Sequence, residues 1–473
     1  MIAFDNSYAR LPAGFFTRTA PTPVADPQLV ALNRPLAERL GLDPDWLAGP
    51  EGLAMLSGNS LPDGSAPIAQ AYAGHQFGGF VPQLGDGRAV LLGEVVAPDG
   101  GRFDIQLKGA GLTPFSRRGD GRAWLGPVLR EYLVSEFMAA AGIPTTRALA
   151  AITTGERVIR ETVLPGAILT RVAASHIRIG TFEFFAVRGD VERLRLLTDH
   201  VIARHYPQAD GALGLLQAVV AAQAATIAGW MGLGFVHGVM NTDNMSLSGE
   251  TIDYGPCAFI DAFDPRAVFS SIDTGGRYAW IEQPNIAVWN LAQLASCLVP
   301  LMGADQDQAV EQATRAVHAF PAIYEAEWLK RFGAKLGIAA PTATDGALAE
   351  RLLTLMAASR ADFTRTFAGL SDGTARAEFA DPAAFDPWHA DWQARIATET
   401  DPQALMAAAN PRRIPRNHQI EAVIRTARDD DDFAPFHRLD AALHEPLQDR
   451  PEWDEYALAP TADQIVRRTF CGT

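Results

Sequence analysis

The sequence predicts an α+β protein in which a small, sheet-bearing lobe precedes a larger helical one. Three observations carry this. Between residues 81 and 175 apolar residues alternate in short runs broken by Gly-rich turns, with one helical stretch among them. From residue 191 onward the apolar spacing is mostly helical. Ala212 to Phe235 is long and almost wholly apolar, the pattern of a buried helix that organises a core. With 473 residues, the chain has room for roughly three units at about 150 residues each. The expected division is an N-terminal extension over 1–80, a small lobe over 81–175, a large lobe over 176–345 and a helical C-terminal extension over 346–473.

In the N-terminal extension the spacing predicts one helix, Pro27 to Leu40, stopped by Gly41. In the small lobe, Leu84-Gly85-Asp86-Gly87-Arg88 opens a turn and Ala89 to Val96 reads as a strand. Asp99-Gly100-Gly101 is a hairpin turn. Phe103 to Lys108 alternates strictly, so Phe103, Ile105 and Leu107 share one face and Asp104, Gln106 and Lys108 the other. A helix is expected from Pro127 to about Ala141, with Gly142 past its end and Pro144 blocking continuation. Strands follow at Arg147 to Thr153, Arg157 to Val163 and Ala167 to Val172. In the helical part, Ile286 to Leu301 is a second strongly apolar helix, and breaks fall at Ala340-Pro341, Ser371-Asp372-Gly373 and Asn410-Pro411.

Composition excludes several classes. A net charge of −15 argues against nucleic-acid binding, which depends on clustered Lys and Arg. Cys257, Cys297 and Cys471 are far apart and form no CxxC, so neither a disulfide framework nor a zinc site is expected. The first residues lack a basic stretch followed by an apolar run, and the 212–238 stretch carries Gln217, Gln223 and Thr226. No secretory signal, no membrane span and a reducing cytoplasm are therefore the expectations.

The chemistry is concentrated in His237-Gly238-Val239-Met240-Asn241-Thr242-Asp243-Asn244 and the following Ile252-Asp253-Tyr254-Gly255. Protein kinases carry H-R-D-x-x-x-x-N and then D-F-G. His237 and Asn244 keep that interval, and Asp253-Tyr254-Gly255 stands for D-F-G. A tight hairpin over 245–253 would bring Asn244 and Asp253 to a common point, offering an amide and a carboxylate oxygen to a hard cation. Val239 stands where a kinase has its catalytic Asp. Valine accepts no proton, so either the protein is inactive or Asp243, the nearest carboxylate, is the base. Ile105-Gln106-Leu107-Lys108 echoes the kinase V-A-I-K strand, whose lysine holds nucleotide phosphates. Glu131 and Glu136 are its candidate partners, and Glu131 is preferred because Glu136 lies about 140° further round the helix. Gly85-Asp86-Gly87-Arg88 and Gly119-Asp120-Gly121-Arg122 offer turns able to cradle an anion, although neither matches the kinase G-x-G-x-x-G. Arg171 and Arg178 fall near the expected junction of the lobes.

These strings, in order, resemble the selenoprotein O family of pseudokinase-like protein adenylyltransferases. The resemblance extends to Asn6-Ser7-Tyr8, Ala71-Tyr72-Ala73-Gly74-His75-Gln76-Phe77-Gly78, Pro114-Phe115-Ser116-Arg117, Asn410-Pro411-Arg412 and Phe470-Cys471-Gly472-Thr473. It implies a protein-kinase-like bilobal fold that binds ATP in a flipped orientation. AMP would pass to Ser, Thr or Tyr hydroxyls of proteins, the protein itself included, and pyrophosphate would leave. By the same resemblance, Lys108, Arg171 and Arg178 hold the inward phosphates. Gly85, Gly87, Arg88, Asp120 and Gly121 line the nucleotide site, and Glu131 pairs with Lys108. Asn244 and Asp253 bind Mg²⁺ or Mn²⁺, and Asp243 is the proton acceptor. Family members often end in a reactive Cys or selenocysteine, the place of Cys471, and some carry another cysteine where Phe269 stands; Cys257 is an alternative partner. The competing functions are an atypical kinase transferring the γ-phosphate and an inactive ATP-binding scaffold.

Overall fold

The hairpin expected around residue 100 lies at the centre of the main sheet. In the computed structural model, which describes residues 2–470, Ala89–Val96 pairs antiparallel with Arg102–Lys108 and sets Ala89 opposite Lys108. The sheet runs in the order Phe16–Arg18, Ile68–Gln70, Ala89–Val96, Arg102–Lys108, Val163–Ala173, Arg147–Ile159, Gln28–Leu32, with Ala123–Trp124 added to Val163–Ala173. All its pairings are antiparallel. Among the described residues sixteen α-helices accompany it, so the chain is a mixed α/β protein.

Two elements differ from the sequence reading. The helix expected over Pro27 to Leu40 is a strand, Gln28–Leu32, followed by a short helix, Arg34–Arg39. Asn33 divides them: its side chain accepts from the Leu36 N–H and caps the helix. The residues before it gain a ladder with Arg147–Ile159 that no local propensity announces. The second difference concerns the separate strands expected at Arg147 to Thr153 and Arg157 to Val163, the latter of which is cut by a bend at 160–162. One strand instead runs unbroken over Arg147–Ile159, and the register jumps from Pro165–Arg157 to Ala167–Thr153. Residues 154–156, with Gly155 at their centre, thus form a bulge, a common reason for a glycine inside a strand.

The alternation of Arg102–Lys108 sorts its side chains. Ile105 and Leu107, with Phe103 against them, join an apolar cluster with Leu36, Leu47 and Leu56 on one face. Gln106 and Lys108 emerge on the other, toward the helix Leu125–Ala140. That helix is braced from behind by the C-terminal helices Asn417–Asp429 and Ala434–His444. Tyr132 meets Phe436 edge-on at 5.7 Å between ring centres, and Arg130 pairs with Glu421.

Gly211–Leu233 is long and apolar enough to cross a membrane by length and composition alone. Here it packs against Phe320–Lys335 and Gln283–Leu298, with Leu215, Leu216, Val219 and Ile227 fully enclosed. Helices end at Lys335, Asp372 and Ala409, next to the expected breaks.

Candidate active site

One cleft of about 1020 Å³ collects the residues expected to serve the nucleotide, the metal and the proton transfer: Gly85, Gly87, Arg88, Lys108, Asp120, Gly121, Glu131, Arg171, Arg178, Asp243, Asn244 and Asp253 all line it. Its floor is a buried ion cluster. Lys108 Nζ lies 2.5 Å from Glu131 and 3.2 Å from Asp253. Arg171, from the neighbouring strand, donates to Glu131 at 2.8 Å through Nε and to Asp253 at 2.7 Å through Nη2. Arg178 lies 3.6 Å from Asp253 and is stacked 4.4 Å over the Tyr72 ring. Three cations therefore face two carboxylates. Burial by itself would raise the pKa of Glu131 and Asp253, but Arg171 and Lys108 outweigh it for both, with Arg178 adding to the effect at Asp253. Both acids are held below the usual carboxylate range. Asp86, 3.9 Å from Arg178, adds a third buried carboxyl, so the cluster has no formal surplus of charge, and its three cations line the cleft where an anionic ligand can reach them.

Glu136 is occupied elsewhere. It accepts from Arg147, Asn33 and the Ala148 N–H, tying the helix to the sheet. The two glutamates therefore predict different phenotypes. Glu131→Gln is expected to lower transfer about 10²-fold, since a misplaced Lys108 loses its aim. Glu136→Gln is expected to lower the melting temperature through roughly 2 kcal/mol, a buried-pair cost reduced by the partial exposure of Arg147. Thermal melts and rates measured on both variants check the contrast; equal effects on rate would contradict it.

Backbone geometry builds the rest of the floor. Asp253 adopts a left-handed conformation, φ +64°, a region that Asp, like Asn, enters more readily than most residues other than Gly. The expected hairpin behind it is reduced to one bridge, Met245 to Thr251. His237 pins the two loops together: its Nε2 meets the Ile252 carbonyl at 2.8 Å and its backbone N–H donates to Gln283. Val239 is buried, and its carbonyl accepts from the Asn244 Nδ2 at 2.9 Å. That bond commits the amide nitrogen of Asn244 and leaves its oxygen for a ligand. Gly85, at φ +104°, must be glycine, because a Cβ there would come within 2.4 Å of the Phe115 ring. Thr113 and Ser116 bond the carbonyls of Asp86 and Gly87 and so fix this turn. At the mouth Asp120 is paired with Arg160.

Asp243 forms no ion pair among the described residues, although Arg178 donates to its main-chain carbonyl at 3.2 Å. One carboxylate oxygen accepts from Gln76 Nε2 at 3.1 Å, and the other is buried without a hydrogen-bond partner. Burial pushes its pKa up to about 6, with Gln76 and Arg178 opposing. A carboxyl poised there can take a proton near neutral pH. The residues that hold it are ones the sequence reading left without a role. Gly74–Gln76 and Gly79–Val81 form a small hairpin stitched to the loop: His75 N–H donates to Thr242, Phe77 N–H to Asn241 and Gln76 to Asp243. Glu183 bonds both His75 and Thr242. Gly74 leaves the space that Asp243 fills, since a Cβ there would sit 2.5 Å from its oxygen. The string Ala71 to Gly78 carries a signal in its glycines and polar residues, but 167 positions separate Gln76 from Asp243. Asp86, buried beneath Arg178 at 3.9 Å, was likewise unassigned.

Among the described residues no three His, Cys, Asp or Glu side chains could enclose a metal unaided. The free oxygen of Asn244 and the carboxylate of Asp253 fit a hard cation that takes its remaining ligands from water and phosphate. Cys257 is buried, and burial pushes its thiol up to about 12. Thr469 N–H donates to the Phe269 carbonyl at 2.7 Å, so the chain's end passes that position, while Cys471 lies outside the described residues.

Buried cations paired with carboxylates on the floor of a large cleft, with a further buried carboxyl at Asp243, make a site of the kind that takes a phosphate-bearing ligand. The comparisons with known proteins narrow the class. The family model described as "Protein adenylyltransferase SelO" matches residues 1–444. "Protein nucleotidyltransferase YdiU" of Rhodopseudomonas palustris (strain BisB5) is 61% identical over 486 residues, covering 99% of both chains. The proteins of the same name from Roseobacter denitrificans and Ruegeria pomeroyi are 60% and 58% identical, covering 99% of each relative and 99% and 100% of this chain. The chain belongs to the SelO protein adenylyltransferase family.

Proposed function

We propose that this protein transfers AMP from ATP to Ser, Thr or Tyr hydroxyls of proteins, its own included, and releases pyrophosphate. The observation that carries the reading is that Lys108, Arg171 and Arg178 are committed to Glu131 and Asp253, while the Asp243 carboxylate forms no ion pair among the described residues. All four groups are buried, with Arg171, Arg178, Asp243 and Lys108 only 2%, 3%, 7% and 8% exposed. Attack at the α-phosphorus places negative charge on departing pyrophosphate, which fixed cations at the floor stabilise. Asp243 takes the acceptor's proton beside the α-phosphate. Attack at the γ-phosphorus would need those cations next to the acceptor, and Val239 leaves no base where a kinase keeps one.

In this reading 81–175 and 176–345 are the two lobes of a kinase-like frame, with 1–80 and 346–473 as extensions. Gly85, Gly87, Arg88, Asp120 and Gly121 contact the nucleotide near the mouth. Asn244 and Asp253 hold Mg²⁺ or Mn²⁺, which supplies neutralising charge to phosphate oxygens. The free, buried thiols of Cys257 and Cys297 agree with a cytoplasmic setting.

Labelled ATP tests the assignment. With α-labelled ATP the label is expected on protein; with γ-labelled ATP it is expected in pyrophosphate, and protein stays unlabelled. The reverse pattern would make the protein a phosphotransferase. No labelling from either position would favour a scaffold.

A further inference from the structure

The region outside Asp243 has features that neither the nucleotide nor the metal uses. Phe77 and Phe80, on the small hairpin, are 36% and 37% exposed, and Ile272, at the cleft's mouth, is 58% exposed. Such aromatic and aliphatic side chains grouped at one rim are a recognition surface when polar groups are set among them. The polar groups here are cations. Arg117 and Arg118 are exposed at the mouth, and neither has a carboxylate partner among the described residues. Arg277 is half-buried, lies 4.9 Å from the Trp289 ring, and has a buried Nε without a hydrogen-bond partner. It too forms no ion pair among the described residues. On a chain of net charge −15, three uncompensated guanidiniums about one opening form a local field opposite to that of the whole molecule.

The hairpin's edge adds a backbone element. Phe77 and Gly78, at φ +51° and +83°, form its two-residue turn, closed by the Gln76–Gly79 pair. In such a hairpin the closing pair exchanges hydrogen bonds and the next pair, His75–Phe80, does not. The N–H and C=O of Phe80 therefore face outward, where an extended chain can pair with them. Gly74–Gln76 is the strand that meets the Asp243 loop, so a chain paired with Phe80 runs along the hairpin's outer edge, about two strand spacings of roughly 5 Å from that loop.

We infer that this rim is the docking site for the acceptor protein, and that it selects an extended, acidic segment whose hydroxyl residue is flanked by Asp or Glu. Arg117, Arg118 and Arg277 pair with its carboxylates, and Phe77, Phe80 and Ile272 cover its apolar side chains. The inference rests on the transfer function proposed above, and its test separates the two. A fluorescein-labelled peptide with one central tyrosine between glutamates is titrated onto the full-length protein and compared with the same peptide carrying lysines. The glutamate peptide is expected to bind about tenfold tighter or more, as complementary charge discriminates partners. Arg277→Glu is expected to abolish or invert that preference, and Phe80→Ser to weaken both peptides. Both variants are expected to keep the thermal shift given by metal–ATP, which shows that they are folded. Equal binding of the two peptides, or a preference untouched by Arg277→Glu, would overturn the docking site. If the glutamate peptide binds as described but takes no label from α-labelled ATP, the docking site stands and AMP transfer fails.

Discussion

Asp243→Asn is expected to lower transfer by about 10²–10⁴-fold, the usual range for loss of a general base, while leaving ATP binding intact. The amide keeps the shape and the Gln76 contact but cannot accept the acceptor's proton. Two further readouts follow from the raised pKa. Transfer by the native protein should climb with pH through about 6 and level off above it, because only the charged carboxylate is a base. Stability should move the other way. A carboxyl whose pKa rises on folding, here from 3.8 to about 6, binds more protons when folded, so its contribution is full below the lower value and is lost as pH rises through the higher. Asparagine carries no charge to bury, and the variant should melt above the native protein at pH 8. Near-normal turnover in Asp243→Asn would assign the base elsewhere; an unchanged melting temperature would mean that the carboxylate is solvated.

Asp253→Ala should abolish most of the thermal stabilisation that metal–ATP gives and cut transfer by about 10³-fold. Two losses combine. One oxygen of the proposed metal pair disappears, Lys108 and Arg171 are left with Glu131, and Arg178 is left with Asp86. The second loss should appear without any nucleotide, as a lower melting temperature, because cations aimed at a missing partner repel one another. Melts with and without Mg²⁺ or Mn²⁺ and ATP distinguish the two. A metal–ATP shift that survives the substitution would remove Asp253 from the metal site.

Much of this site was legible in the sequence because its parts lie within short elements of strict period. Alternation over Phe103 to Lys108 fixes the lysine's face, and a rotation of about 140° about the helix axis separates Glu131 from Glu136. The strand Ala89–Val96 lies where the sequence put it, and Gly211–Leu233 is close to its expected bounds. What stayed hidden depends on contacts between distant segments. Gln28–Leu32 is a strand only because Arg147–Ile159 offers it a ladder. The roles of Gly74 and Gln76 appear only when their hairpin meets Asp243, and that of Asp86 only beneath Arg178. No local pattern encodes such partners.

The bracing of the helix Leu125–Ala140 by the last helices has a consequence for the order in which the protein is made. A ribosome delivers the sheet, the glycine turns and the loop of Asp243 long before residues 417–444. Until those emerge, Tyr132 lacks Phe436 and Arg130 lacks Glu421, so the helix bearing Glu131 has an uncovered back. The clamp on Lys108 is thus among the last parts to be secured. A chain that stops before residue 417 therefore leaves the helix that carries Glu131 without its backing.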